Sequence, residues 1–340
     1  MTRVTAQDVA EEAGVSLATV DRVLNKRKGV RDKTIERVTQ AMDRLNFVRD
    51  QAAANLARGR TYTFTFIVTA GETAFFSDLR GEIEAARDFA AKERVALRMV
   101  AVPPLDPQAI VDAIDSFGDD LGDGFAIVSV ESQAMREAIK ALRDKGVHVI
   151  TFISDVPNSE RQRFVGIDNV AAGRVAGGLL KRFISAPKGD VAVVAGSGTL
   201  RDHVERRMGL EQVMRAECPH LTVLPWIEGE ESGPLVEQKL SKLLAENPNV
   251  VGLYSVGGGT KGVIGAIEAA PQEISVVTTE LSDHTRAALI AGTVDAVLVQ
   301  DPSHEVRSAV RVLKALADET IINEKQERIR IEIFMRDNLP

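Results

Sequence analysis

Apolar positions in the first 60 residues recur three and four apart, as along one face of a helix: Val9, Ala10 and Ala13, then Val20, Val23 and Leu24, then Ile35, Val38, Met42 and Leu45. No strand-like alternation interrupts them, so the spacing predicts three short helices on a shared core. Thr5 stands where the first helix needs an N-cap, and Ser16 caps a second helix reaching about Asn25. Only Gly14, Val15 and Ser16 separate the two. Glycine in so short a connection permits the positive φ that turns the chain sharply, which is the helix-turn-helix arrangement.

From Thr61 onward the pattern changes to short β-branched runs alternating with amphipathic stretches. Strands are predicted at 64–69, 95–102, 124–130, 147–153, 190–196, 250–256, 274–279 and 295–300, with one helix between most of them. Such alternation means parallel sheets covered by helices on both faces, and roughly 280 residues make two subdomains of this kind. Ligands bind such sheets beyond the C-terminal ends of the strands, so a cleft between two of them is the natural site.

Charge divides the chain at the same place. The net charge of −7 hides 12 Lys and Arg against 8 Asp and Glu in residues 1–60, and 30 against 41 in the remainder. A basic head on an acidic body can neutralise phosphates locally while limiting non-specific attraction to a polyanion. No apolar run approaches the length of a membrane span, and the N-terminus has no signal-peptide core, so a cytoplasmic, nucleoid-associated protein is expected. Cys218, the sole cysteine, has no thiol to pair with and no companion for a metal.

The run from Val4 to Val48 holds DVAEEAGVS, T-V-x-R-V-L-N, a G-V before the third helix, K-T and L-N-F, and A-x-x-L-A follows at 53–57. This pattern resembles the lactose/galactose repressor family. The resemblance implies an N-terminal all-α helix-turn-helix head (1–48) and a hinge helix or linker (49–60). A two-lobed α/β core of the periplasmic-binding-protein-like type I fold, with parallel sheets, would occupy 61–340. Its first lobe would comprise about 61–157 with 302–317, and its second about 158–301 with 318–340.

Double-stranded operator DNA is the implied partner. Thr5, Ser16, Leu17, Ala18, Thr19 and Arg22 would approach it from the first two helices. Arg22 can bond O6 and N7 of guanine together, and the small apolar pair Leu17 and Ala18 offers contact to thymine methyls. Asn25, Val30 and Thr34 match positions near the DNA backbone. Ala53 and Leu56 match the hinge helix that wedges into the minor groove, although a plain linker helix is an open alternative. Two positions depart from the family: Asp21 stands where Ser usually contacts phosphate, and Asp50 where Asn usually precedes the hinge. Because one head reads few bases, a homodimer, or a tetramer built from it, is expected on a pseudo-palindromic site.

For the effector, the resemblance implies the aromatic pair Phe75 and Phe76, with core packing as the other reading. Ser129, Glu131 and Ser132 follow the third strand of the core, and Asp168 begins the second lobe or merely caps its helix. Arg206, three residues before Gly209, matches the family's ligand-holding arginine, with Asp202 one turn earlier. Glu280 matches an acidic hydroxyl acceptor and Gln300 an interlobe glutamine, each with a buried hydrogen bond as the alternative. Ser255 would line the cleft beside the glycine loop. This set leans towards a monosaccharide, polyol or sugar phosphate.

Other chemistry finds little support. Gly257 to Gly262 satisfies GxGxxG after a strand, with Glu280 eighteen residues on, but three close glycines are a weak dinucleotide signal. The five histidines are scattered, and His203 beside Asp202 reads as an exposed helix neighbour. No metal, cofactor or catalytic residue is expected. The rival function is a cytoplasmic sugar- or nucleotide-converting enzyme with an appended DNA-binding head.

Overall fold

The structure is a computed structural model and describes residues 4–24, 28–45, 47, 59–71, 73–230 and 232–340. It divides into two compact units, Met1–Arg60 and Thr61–Pro340.

The first unit holds α1 (Ala6–Ala13), α2 (Leu17–Leu24) and α3 (Asp32–Arg44). Thr5 caps α1 in a reciprocal box: its hydroxyl accepts the Asp8 N–H while the Asp8 carboxylate accepts the Thr5 N–H. Gly14 ends the helix at φ 60°, the left-handed value expected of this turn. Ser16 then accepts the Thr19 N–H at 3.2 Å and opens α2. Val9, Ala10, Val20, Val38 and Ala41 close the small core.

In the second unit, one five-stranded sheet runs in the order β2-β1-β3-β4-β5. Its strands are β1 (Tyr62–Thr69), β2 (Val95–Val102), β3 (Gly124–Ile127), β4 (His148–Phe152) and β5 (Arg163–Val165), all parallel. Helices α4 (Ala74–Ala85), α5 (Arg87–Lys92), α6 (Pro107–Asp115) and α7 (Gln133–Asp144) connect them. The second sheet is built on β6 (Gly189–Ala195), β9 (Val250–Ser255), β10 (Ser275–Thr279) and β11 (Ala296–Val299), with short edge strands β7 (Leu221–Val223), β8 (Ile227–Glu228) and β12 (Glu332–Phe334). Its helices are α8 (Asn169–Phe183), α9 (Arg201–Glu217), α10 (Gly233–Glu246), α11 (Thr260–Ala269) and α12 (Asp283–Ala291). Among the described strands only β12 is antiparallel. Core strands such as β1 are buried almost throughout, as expected of sheets covered on both faces.

All eight predicted strands are present, four of them as β6, β9, β10 and β11 of the second sheet. The lobe boundaries differ from expectation. β5 pairs with β4, so the first lobe continues past 157 to Val165. The segment after α13 (Pro302–Ala317) also stays with that lobe, because the Tyr62 hydroxyl donates to Asp318 and Ile329 enters the first-lobe core. Only from β12 does the chain rejoin the second sheet.

Candidate functional site

Strand ends bring the functional side chains together. A cavity of about 760 Å³, its open mouth included, lies between the lobes and is lined by residues just beyond β1, β3, β4, β10 and β11. Phe75, Phe76 and Ser129 face it from the first lobe, and Asp202, Arg206 and Glu280 from the second, with Gln300 at the crossover. Phe75 and Phe76 meet edge to face with centroids 5.3 Å apart. Phe75 also belongs to the first-lobe core, so packing and cavity lining coexist in one ring.

Arg206 is 4% exposed and fixed inside its own lobe. Its Nε donates to Asn169 Oδ1 at 2.9 Å and its Nη1 to the Val256 carbonyl at 2.6 Å. A guanidinium pinned at two nitrogens is pre-organised, so little rotamer freedom is lost when a ligand arrives. Asp202 accepts from the Ser154 hydroxyl at 3.3 Å, a bond that crosses from the second lobe to the first. Gln300 is buried, and its Oε1 has no partner among the described residues. Such an acceptor costs free energy unless something donates to it.

Strain collects here as well. Leu105, Ile153 and Glu280 line the cavity with φ of 57°, 65° and 71°. Non-glycine residues held there cost about 1–3 kcal/mol each and cluster at ligand sites.

Four expected ligand contacts do not line the cavity. Glu131 pairs with Arg136 and, at 3.5 Å, with Arg201 of the second lobe, so it holds the lobes together at the rim. Ser132 caps α7 by accepting the Met135 N–H, and Asp168 caps α8 by accepting the Ala171 N–H at 2.8 Å. Ser255 is fully buried beneath the floor, its hydroxyl without a partner among the described residues. Ser132 and Asp168 thus serve their own helix ends, Ser255 its own packing, and Glu131 the contact between lobes.

His203 corrects the sequence reading in the other direction. Far from an exposed neighbour, it is 5% exposed and lines the cavity beside Asp202. Ser154 and the turn Pro103–Asp106 also contribute, and no motif announced them. The glycines of this loop have steric causes: a Cβ on Gly257 would lie 2.7 Å from the His203 ring, and one on Gly262 2.0 Å from the Gly233 carbonyl.

Glu305 on α13 is the group least at ease. It is fully buried with neither carboxylate oxygen bonded among the described residues, and burial holds its pKa well above the ordinary 4.5, opposed by Arg206 and aided by Asp301. The folded state therefore keeps a proton that the unfolded chain has lost. The stability this provides is full below about pH 4.5 and declines as pH rises through the folded-state pKa. Glu305→Gln should thus stabilise the protein at pH 8 by about 1–3 kcal/mol and much less at pH 5. Urea unfolding across that range measures the difference, and an equal effect at both ends would contradict it.

In the head, Ser16 just before α2 and Leu17, Ala18 and Arg22 on it are exposed, with Leu17 at 48%. Thr19, Val30 and Thr34 are half-buried, and Thr5 is committed to its cap. Asn25, Asp50, Ala53 and Leu56 lie outside the described residues.

The profile for bacterial regulatory proteins of the lacI family matches residues 5–50, and that for the periplasmic binding protein domain matches 64–320, most of the chain. This chain belongs to the lactose/galactose repressor family. It joins a helix-turn-helix head to a periplasmic-binding-protein-like core, as a DNA-binding transcriptional regulator with a sugar-binding-like effector domain.

Among its relatives, the HTH-type transcriptional repressor PurR of Histophilus somni strain 129Pt is 26% identical over 80% of this chain and 81% of its own length. The same repressor of strain 2336 is 26% identical over 62% of this chain and 61% of its own length. The HTH-type transcriptional regulator DegA of Bacillus subtilis is 25% identical over 62% and 61%. The core shares its fold with GanP, a glucose-galactose binding protein of Geobacillus stearothermophilus, at a TM-score of 0.74 and 22% identity over 83% of this chain and 99% of that one. It shares it too with a solute-binding protein of Burkholderia graminis in complex with D-arabinose, at 0.72 and 21% over 82% and 97%. No helix among the described residues is long and apolar enough to cross a membrane.

Proposed function

We propose that this family member is a repressor, dimeric on a pseudo-palindromic operator beside its chromosome in the cytoplasm, whose grip is set by an uncharged sugar or polyol bound between the lobes. The observation carrying the effector half is the meeting of seven residues singled out in the sequence, Phe75, Phe76, Ser129, Asp202, Arg206, Glu280 and Gln300, in one interlobe cavity. Aromatic faces beside carboxylates, an amide and a fixed guanidinium suit a ring with apolar faces and a hydroxyl rim.

The charge balance narrows the class. Among the described lining residues Arg206 is the only Lys or Arg, against Asp106, Asp202 and Glu280. A phosphate monoester would meet more like charge than opposite charge, so the sugar itself fits better than its phosphate. A thermal-shift screen of monosaccharides and polyols against their phosphates tests this, since a ligand of the folded state raises apparent stability. A shift produced only by the phosphorylated members would reverse the assignment.

For the operator half, Arg22 is the proposed base reader, supported by its exposure on α2 one turn beyond the N-terminus. Arg22→Ala should weaken specific binding by about 1–3 kcal/mol and relax preference at one base pair of each half-site. A binding series over single-base operator variants checks it. Uniform weakening across all variants would instead make Arg22 a phosphate contact.

A further inference from the structure

We propose that His203 reads the effector by donating its Nε2–H to a hydroxyl oxygen of the ligand, while Asp202 accepts that hydroxyl's proton. The role rests on the interlobe cavity being the effector site. Successive positions at the start of α9 place Asp202 and His203 together, and Arg206 follows one turn later; all three line the cavity.

The ring is fixed in one tautomer. Its Nδ1 accepts the Ser197 N–H at 3.4 Å, so the proton of the neutral imidazole belongs on Nε2. That Nε2 has no hydrogen-bond partner among the described residues, and Asp202 Oδ2 lies 3.8 Å away, too far for a bond. Most side chains this buried have their polar atoms satisfied by protein.

Space is reserved at the same edge. Gly257 has φ 150°, and a Cβ there would come within 2.7 Å of Nε2. The glycine therefore keeps the donor uncovered. The charged groups facing the ring are Asp202 and Arg206 on its own helix, while Ser197 after β6 and Gly257 after β9 bring none. Burial lowers the ring's pKa, Asp202 raises it and Arg206 lowers it, so the group is a neutral donor at physiological pH.

One hydroxyl satisfies both neighbours because it accepts and donates at once; a phosphate or carboxylate ligand has no proton for Asp202. The pair thus selects for hydroxyl against oxyanion at one point of the ring.

Two measurements on the full chain test this. With selectively ¹⁵N-labelled histidine, the signal missing from His203→Gln reports the tautomer, expected as Nε2–H; an Nδ1–H form would overturn the assignment. Calorimetric titration then uses whichever of D-glucose, D-galactose, D-allose, D-arabinose and D-tagatose gives the largest thermal shift. His203→Gln keeps a neutral amide donor and should bind that sugar within about threefold of wild type, whereas His203→Leu should lose about tenfold. Equal affinity of the Leu variant overturns the role of His203 and leaves the cavity assignment intact. No shift of the wild type with any of these sugars removes the cavity assignment and the proposal with it. Should His203→Leu fail to fold, a loss of more than tenfold in a folded His203→Gln overturns the donor role.

Discussion

Gly173→Ala should lower stability by about 3 kcal/mol or more and lower the melting temperature by roughly 6–12 °C, the largest loss expected of any single methyl added to this protein. A Cβ at Gly173 would lie 1.8 Å from the Arg206 carbonyl oxygen, and one at Gly209 only 2.1 Å from the Val170 carbonyl. Helices α8 and α9 thus cross backbone on backbone, and neither atom can yield as a side-chain tip would. They must separate, carrying with them the turn that presents Arg206 to the cavity. Gly209→Ala should behave alike. Gly178→Ala, on the same helix, meets only the flexible Arg182 side chain at 3.5 Å and should be neutral or stabilising by up to about 1 kcal/mol. Thermal unfolding of the three variants decides the matter, and a Gly173→Ala protein as stable as wild type would mean that the crossing is not built this way.

The second large effect is expected at Arg206. Arg206→Leu strips the donor from Asn169 Oδ1 and from the Val256 carbonyl, both buried, and removes the cation that opposes the raised pKa of Glu305. Removing one member of a buried charged network costs about 3–5 kcal/mol. Arg206→Lys tests the ligand role with less damage to the fold. Its single ammonium cannot reproduce the fork that holds two acceptors and a ligand together, so sugar binding should fall by about 100-fold or more. Calorimetry on the folded Lys variant measures this; near wild-type affinity would reduce Arg206 to a structural post.

The fold was legible because its signals are local. Thr5, Gly14 and Ser16 each satisfy a backbone demand within three or four residues, and the β-branched runs of buried parallel strands stand out in composition alone. β5, β7, β8 and β12 did not stand out, being two or three residues long at sheet edges, where no alternation accumulates. The lobe boundary near residue 157 was misplaced for the same reason, since β5 fixes it.

Cavity-lining positions were legible where a strand end is followed by a polar side chain with a motif around it, as at Glu280 and Gln300. His203 was missed because one position along a helix changes the facing by about 100°, and sequence does not say which turn of α9 meets the cleft. Ser132 and Asp168 misled because capping and ligand binding recruit the same residue types at helix N-termini.

Effector-dependent operator binding is the central claim, and it is tested most directly by footprinting the full chain on genomic fragments at moderate salt, with and without the sugar that raises its melting temperature. The expected result is a pair of two-fold-related protected half-sites, about one helical turn apart, whose half-saturation shifts at least fivefold when the sugar is added. Protection of no fragment, or protection with the same midpoint in the presence of a sugar that demonstrably binds, would contradict the account.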